Sequence, residues 1–312
     1  MANEILYTGI GNLRTATELA GFYALLLAER GSMGALSHPA LTYAGSAKPG
    51  STVVQVPEVG LMGYDEMTDG TEGSDPGNTA LTDGKALIDV GIKEKIYAPG
   101  DLARMTDPYG MFSAETMARD LVASAAQKLI DMVVALATGF TTNVVGNSGV
   151  NLTISDFIDG ITALDIASAE AIAMAILHPR QWGDLAQDTL SVGGTPQMRT
   201  DVSGIADFAR GYKGQLFGVD CFASNRCDTS DAGANVNGLF ITPGAIYWAD
   251  GQYTPEPGDP NILDLSLPGL PVRGRLERDR DGRSGLTAWI LRVLLGVIEG
   301  QDAAGVRVRS DA

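Results

Sequence analysis

Apolar residues first fall at helical spacing over residues 12–30, where Leu13, Ala16, Ala20, Tyr23 and Leu27 lie three or four apart. This predicts a short amphipathic helix that Gly31 stops. From Ser32 to Gly50 the periodicity dissolves into Gly, Ser, Pro and Ala. The period then changes to two. Ser51-Thr-Val-Val-Gln-Val-Pro57 predicts a strand that ends at its proline, and Ala86–Tyr97 is a second extended segment with partial alternation. The clearest helical stripe runs through Met117, Leu121, Ala125, Leu129, Met132, Val133 and Leu136. Ser113 suits its N-cap, Glu115 complements the helix N-terminus, and Gly139 stops it. The predicted helix, 113–138, is about 26 residues, or about 39 Å at 1.5 Å per residue.

Residues 152–194 predict an α/β unit. Thr153 and Asp156 have the spacing of a capping box for a helix running to about Ala167. Ala171-Ile-Ala-Met-Ala-Ile-Leu177 is nearly continuous in apolar residues, as in a strand buried on both faces. Pro179 ends it, and Gln181–Asp188 predicts another helix. Short strands follow between 205 and 270, including Gly238–Thr242 and Ala245–Trp248. Leu286–Ile298 is a long apolar segment that reads as a strand, although its periodicity also permits a helix. No internal repeat or heptad pattern is present.

Charge changes the picture between the two extended segments. Glycines 60, 63, 70, 73, 77 and 84 are mixed there with Glu58, Asp65, Glu66, Asp69, Glu72, Asp75 and Asp83, and no Lys or Arg occurs between Lys48 and Lys85. Two strands joined by so acidic a tip predict a projecting β-arm. The tip has too few apolar side chains to fold on itself, which leaves it to move or to lie against a partner. Near the other end, Arg273, Arg275, Arg278, Arg280 and Arg283 are interleaved with Glu277, Asp279 and Asp281. They offer either a cationic surface for the acidic arm or a hairpin that neutralises itself. The net charge of -16 argues against a protein that reads nucleic acid through a basic face.

Candidate chemistry is sparse. Gly9-Ile-Gly11 begins like a dinucleotide fingerprint, but Arg14 stands where the third glycine belongs. Gly84-Lys85 continues with Ala86 rather than Ser or Thr, and Gly146-Asn-Ser148-Gly149 lacks the spacing of a nucleophile elbow. Of the two histidines, His38 lies in a small-residue loop with no evident role. His178 follows the apolar strand, where an imidazole either bonds nearby backbone or lines an active-site mouth. Asp69–Asn78 carries hard oxygen ligands that calcium favours but matches no calcium-loop pattern. Cys221 and Cys227 read as two reduced thiols, too few for a disulfide framework or a four-ligand zinc site. The longest apolar run near the start, Leu19–Ala28, is too short to span a membrane and lacks a basic leader. No catalytic residue, cofactor or metal is assigned.

The order of elements is more informative than any motif. The arm, Leu102–Asp107 leading into the 113–138 helix, the strand followed by His178-Pro-Arg-Gln-Trp182, Gly214–Asp220 and Pro243–Trp248 together resemble the major capsid proteins of tailed double-stranded DNA phages. The resemblance implies an α+β protein of the HK97-like fold. It would have an N-terminal arm (1–50), an extended β-arm or E-loop (51–98), a peripheral domain with a long spine helix (99–140), an axial domain (141–268) and a return to the peripheral domain (269–312). It implies a non-enzymatic virion subunit, assembled in the host cytoplasm, that forms hexamers and pentamers of itself around DNA bound without sequence specificity. Portal, scaffolding and decoration proteins are the further partners it implies. Some relatives cross-link the shell through a lysine on the arm, which this arm tip lacks. An encapsulin-like compartment shell is the nearest alternative, and an α/β enzyme using the strand end at His178 is a more distant one.

Overall fold

The computed structural model describes residues 34–59, 83–98, 114–167, 173–191, 212–230, 235–253, 262–266, 273–281 and 286–311. The helix expected over 12–30, Ser113, Leu102–Asp107, the acids from Asp65 to Asp75 and Arg283 lie outside them. In chain order the described strands are β1 (Thr42–Ala47), β2 (Val53–Val59), β3 (Asp83–Asp89), β4 (Gly91–Tyr97), β5 (Val144–Val145) and β6 (Met174–Leu177). They continue with β7 (Tyr212–Leu216), β8 (Val219–Ala223), β9 (Asp228–Ser230), β10 (Asn235–Ile241) and β11 (Ile246–Gly251). The last are β12 (Ile262–Ser266), β13 (Arg273–Asp281), β14 (Leu286–Glu299) and β15 (Gly305–Asp311). Three helices join them: α1 (Ala114–Ala135), α2 (Ile154–Ile166) and α3 (Pro179–Ser191).

The strands form two large sheets and a ribbon. One sheet runs β1-β11-β14-β13-β12, with β4 also on β14; the other runs β5-β15-β10-β6-β8-β7, with β9 also on β10. The ribbon is β2 against β3. The expected boundaries at 268 and 269 do not follow these sheets. β11 and β12 cross into the six-stranded sheet, and the chain's last strand, β15, returns to the seven-stranded one.

Strand periodicity divides the core. In β6, Met174 and Ile176 enter one apolar cluster while Ala175 and Leu177 enter another. In β10, Leu239 and Ile241 take the first side and Phe240 the second. A strand that must fill both faces can carry no polar side chain on either, which is why 171–177 reads as a continuous apolar run. The first cluster also receives Leu129, Ile130, Val133 and Val134 of α1. The second is closed by Phe157 and Leu164 of α2 and Leu185 of α3.

β14, left open between strand and helix by its sequence, is a strand of 14 residues with three neighbours. It pairs with β13 over residues 286–293, with β4 over 289–295 and with β11 over 295–299. Trp289, Leu291, Val293, Leu295 and Val297 belong to the cluster that contains α1, whereas Leu294 and Ile298 pack with Val54, Val56, Ala86 and Ile88 of the ribbon. One strand therefore holds the long helix on one face and the base of the arm on the other.

One local expectation is corrected. β2 runs past Pro57 to Val59. Val90 N–H donates to Thr52 O at 2.7 Å, so Thr52 and Val90 form a hydrogen-bonded pair, and strict alternation makes Pro57 opposite Lys85 a non-bonded one. The missing proline N–H thus costs no ladder bond. Gly139 does end the helix, after a short 3₁₀ turn at Leu136–Thr138, but with φ at -70° rather than in the left-handed region. Its lack of a side chain admits the Glu299 carboxylate, which a Cβ would overlap.

Gly296 admits the arm in the same way. A Cβ there would stand 2.5 Å from Asp89 O and 2.8 Å from Ile88 Cγ2. Gly296→Val is expected to lift the ribbon base and cost about 1–3 kcal/mol, as overpacking does. Hydrogen exchange should then rise over residues 51–59 and 83–90 before it rises in β10; unchanged exchange in the ribbon would contradict this seating.

Candidate assembly surfaces

The expected site residues fall into three groups. Glu58 and Asp83 stand at the distal end of the described ribbon, opposite Gly84 and Val59 respectively. The ribbon's lower part is fixed by Val54, Val56, Ala86 and Ile88, all buried, so the acidic segment between Glu58 and Asp83 leaves from an anchored base. Asp65, Glu66, Asp69, Glu72 and Asp75 lie outside the described residues.

The arginine run is the second group, and positions 273, 275, 278 and 280 of it lie on β13. Arg273 is exposed, and its backbone N–H donates to the buried Asp250 carboxylate at 3.1 Å. Arg275 is buried and stacks on Tyr253 at 4.8 Å. Arg278 and Arg280 stand in register with Trp289 and Thr287. Beside Arg275, Arg292 of β14 bonds Glu277 at 2.7 Å and Glu94 at 3.3 Å. Part of the charge on this hairpin is thus met within the chain.

Histidine is the third group. His178 is the N-cap of α3. Its Nδ1 accepts from Arg180 N–H at 3.3 Å, while its own backbone N–H donates to Gln181 Oε1 at 3.0 Å. This is the reciprocal pattern of a capping box with imidazole in place of a hydroxyl, and Pro179 occupies the first helical position, where it is tolerated best. Gln181 is fully buried, and its Nε2 donates to Val308 O at 3.3 Å, tying the helix start to β15. Burial, then the nearby Arg180 charge, lowers the His178 pKa and favours the neutral ring that can accept. His38, with no evident role in the sequence, pairs through Nε2 with Asp220 Oδ2 at 3.0 Å and accepts at Nδ1 from Ala40 N–H at 3.2 Å. Its partner is 182 positions away, so no local pattern could show it.

The described remnants of enzymatic motifs fit structural roles. Gly84 and Lys85 lie in a strand, not a phosphate loop. Gly146 and Gly149 both have positive φ in the turn after β5, and Gly149 N–H donates to Asn235 Oδ1 at 2.7 Å. Cys221 and Cys227 are buried and not joined in a disulfide, and burial pushes the Cys221 thiol up to about 12. Among the described residues no group of three or more His, Cys, Asp or Glu could hold a metal ion, and no helix is long and apolar enough to cross a membrane.

Sequence reasoning missed a cationic cleft of about 330 Å³ between β4 and α1, lined by Lys93, Lys95, Lys128, Ser124, Leu291 and Val293 among others. Simple alternation would bury the isoleucines of Ile92-Lys-Glu-Lys-Ile96, yet Ile92 is 62% and Ile96 52% exposed. The lysines take the half-buried positions on the α1 side, where their stems can cover apolar surface. Lys95 Nζ donates to Ser124 Oγ at 2.6 Å.

Comparison with solved structures decides what this arrangement is. The chain superimposes on the Cyanophage Pam1 capsid with a TM-score of 0.59 at 13% identity, covering 91% of this chain and 92% of that one. The chain has the HK97-like shell fold. The capsid of Ralstonia phage GP4 matches with a TM-score of 0.57 at 9% identity, over 88% of this chain and 87% of the other. A SrpI encapsulin complex from Synechococcus elongatus PCC 7942 matches at 0.55 and 10% identity, over 86% and 84%. No family model and no curated protein matches the sequence. The shell fold thus persists here at identities where only its layout, not its residues, is shared.

If His178 is a cap, His178→Ala should cost about 1 kcal/mol, while His178→Asn should cost only a few tenths, in denaturant titrations of the unassembled subunit. The depressed His178 pKa sets the sign of the pH effect: stability present above its unfolded value should be lost as pH falls through the folded one. That slope should vanish in His178→Asn. Equal losses in the Ala and Asn variants would contradict the capping role.

Proposed function

We propose that this protein is the shell subunit of a tailed double-stranded DNA phage, many copies of which close into an icosahedral head. The single observation that carries this reading is the whole-length match to capsid subunits, which leaves little of either chain uncovered. The α1 helix then corresponds to the spine helix of a peripheral domain, the β2–β3 ribbon to the root of the extended E-loop, and the seven-stranded sheet to the core of an axial domain. The protein works without catalysis, through contacts between its copies in hexamers and pentamers. Portal and scaffolding proteins complete the assembly, and a decoration protein could bind its outer face. The packaged DNA meets a wall whose charge of -16 repels it on average.

The acidic residues Glu58, Asp65, Glu66, Asp69, Glu72, Asp75 and Asp83 are the proposed arm contacts, lying against a cationic surface of the next subunit. Arg273, which is exposed, is the most accessible described member of the candidate arginine surface. Arg275, Arg278, Arg280 and Arg283 complete that candidate, with Arg275 already engaged by Tyr253. Exposed ion pairs contribute only about 0–1 kcal/mol each, so their effect in a shell comes from repetition.

The encapsulin match favours a second reading, a cellular compartment shell of the same fold. Purified particles containing DNA support the phage head, whereas particles containing a cargo protein and no DNA support the compartment. Light scattering of the purified protein is expected to give particles in the megadalton range; a monomer or small oligomer under all assembly conditions would overturn both shell readings. Reversing Asp65, Glu66 and Asp69 to lysine is expected to lower shell yield at least tenfold. Wild-type yield and shape in that variant would remove the acidic arm from the account.

A further inference from the structure

We propose that Glu299 and Asp302 form a proton-controlled joint that fastens the two large sheets to each other, closed while Glu299 carries a proton and Asp302 does not. It concerns the described fold alone and holds whatever the chain assembles into. The described chain passes between the sheets in three places: from α1 into β5, from β10 into β11, and from β14 into β15. All three passages meet. Gly300 N–H donates to Ala245 O at 2.8 Å, Gln301 N–H to Gly244 O at 3.0 Å and Thr242 N–H to Ala304 O at 3.1 Å, which ties the third passage to the second. Asp302 ties it to the first, accepting from Thr141 N–H at 2.9 Å, from Thr142 N–H at 3.0 Å and from both threonine hydroxyls. The relation of one sheet to the other is therefore set where these two carboxyl groups lie.

Glu299 stands where a negative charge is least welcome. A Cβ on Gly139 would overlap its Oε2 and would stand 3.1 Å from Leu136 O, so the carboxyl is seated against the carbonyl end of the long helix. That end is the negative pole of the helix, and neither α1 nor the 3₁₀ turn after it has a basic residue in its last turn. A neutral carboxyl can donate its O–H toward carbonyl oxygens left without a partner there, whereas a carboxylate only repels them. The surrounding elements bring no compensating charge. Residues 132–138 include no charged side chain. β11 brings Ile246, in register with Glu299, and Tyr247, whose ring packs on Gly300 and whose phenol titrates only near about pH 10. Arg307 of β15 is bonded to Asn237 at 2.9 Å. The charge that acts on Glu299 is Asp302. Burial and then that charge raise the Glu299 pKa, while the threonine donors outweigh burial at Asp302 and lower its own. Two carboxyl groups pushed apart in this way hold one proton between them over a range of pH. Stability from Glu299 is present below its unfolded value and is lost as pH rises through the raised folded one. Stability from Asp302 is present above its unfolded value and is lost as pH falls through the lowered folded one.

Hydrogen exchange of the full-length chain, unassembled and read by mass spectrometry, tests the joint. Peptides covering 136–143, 242–245 and 299–305 are compared with α2 after correction for the intrinsic pH dependence of exchange. From about pH 5 to about pH 8 opening at the joint should rise severalfold, by about tenfold for each unit separating the closed-state and open-state pKa values of Glu299, while α2 stays protected. The direction is opposite to that expected of His178, whose contribution is lost as pH falls. Glu299→Gln keeps the shape and a hydrogen-bond donor without the charge, so it should hold the joint closed throughout and remove the rise. Asp302→Asn should open the joint at every pH and shrink the rise, because Glu299 loses its like-charged neighbour. Protection that is flat with pH in the wild-type chain, or the same rise in Glu299→Gln, would overturn the proposal. A rise equally large in α2 would also overturn it, since the whole fold rather than the joint would then be opening.

Discussion

β14 is packed on both faces and paired along both edges, so its sequence governs how the surrounding elements meet. Its alternate residues must satisfy two different clients, the long helix α1 on one face and the root of the arm on the other. Its edges bind β13, β4 and β11. A strand with so many obligations can tolerate few polar side chains, and Arg292 is admitted only between Glu94 and Glu277. Because β3 and β4 are successive and both are held against β14, the arm's direction is set by the same packing that sets the helix. Glycine at 296 lets these layers approach closely, where even one added carbon would collide with Asp89 and Ile88.

The two sheets are joined through shared apolar material. Met174, Ile176, Leu239 and Ile241 of the seven-stranded sheet meet Trp248, Leu291 and the α1 stripe in one cluster. A second clamp lies at the chain's last crossing. Asp302 accepts from Thr141 N–H at 2.9 Å and Thr142 N–H at 3.0 Å, just after the turn that ends α1. Burial alone would raise the Asp302 pKa, but these bonds and those from the threonine hydroxyls outweigh it and hold the carboxyl below its ordinary range. Glu299 nearby is pushed the other way, first by burial and then by Asp302 itself.

Much of the fold was legible where local chemistry and burial agree. Thr153 and Asp156 form the capping box that their spacing implied, and Met174–Leu177 is buried on both faces as a continuous apolar run requires. The α1 stripe was visible as Ala125, Leu129 and Val133, although the buried face is wider and includes Ile130 and Val134. What escaped was non-local. β1 pairs in parallel with β11, some 200 residues later, and its Gly- and Ser-rich sequence carries little pattern of its own. The His38–Asp220 pair is hidden for the same reason. The candidate surfaces were only half legible: the acidity of segment 58–83 is written in composition, but the lysine cleft requires knowing that β4 turns its lysines toward α1. The arginine run was conspicuous in sequence, yet Arg275 is buried.

In the proposed shell the fold works between copies, and the anchored arm carries acid from one copy to a cationic surface on the next. A cryo-electron microscopy map of particles assembled from the purified protein would show where that segment ends. The expected map is a closed icosahedral shell in which density for residues 58–83 crosses from one copy to the next. Closed shells in which that segment folds back on its own subunit would contradict it.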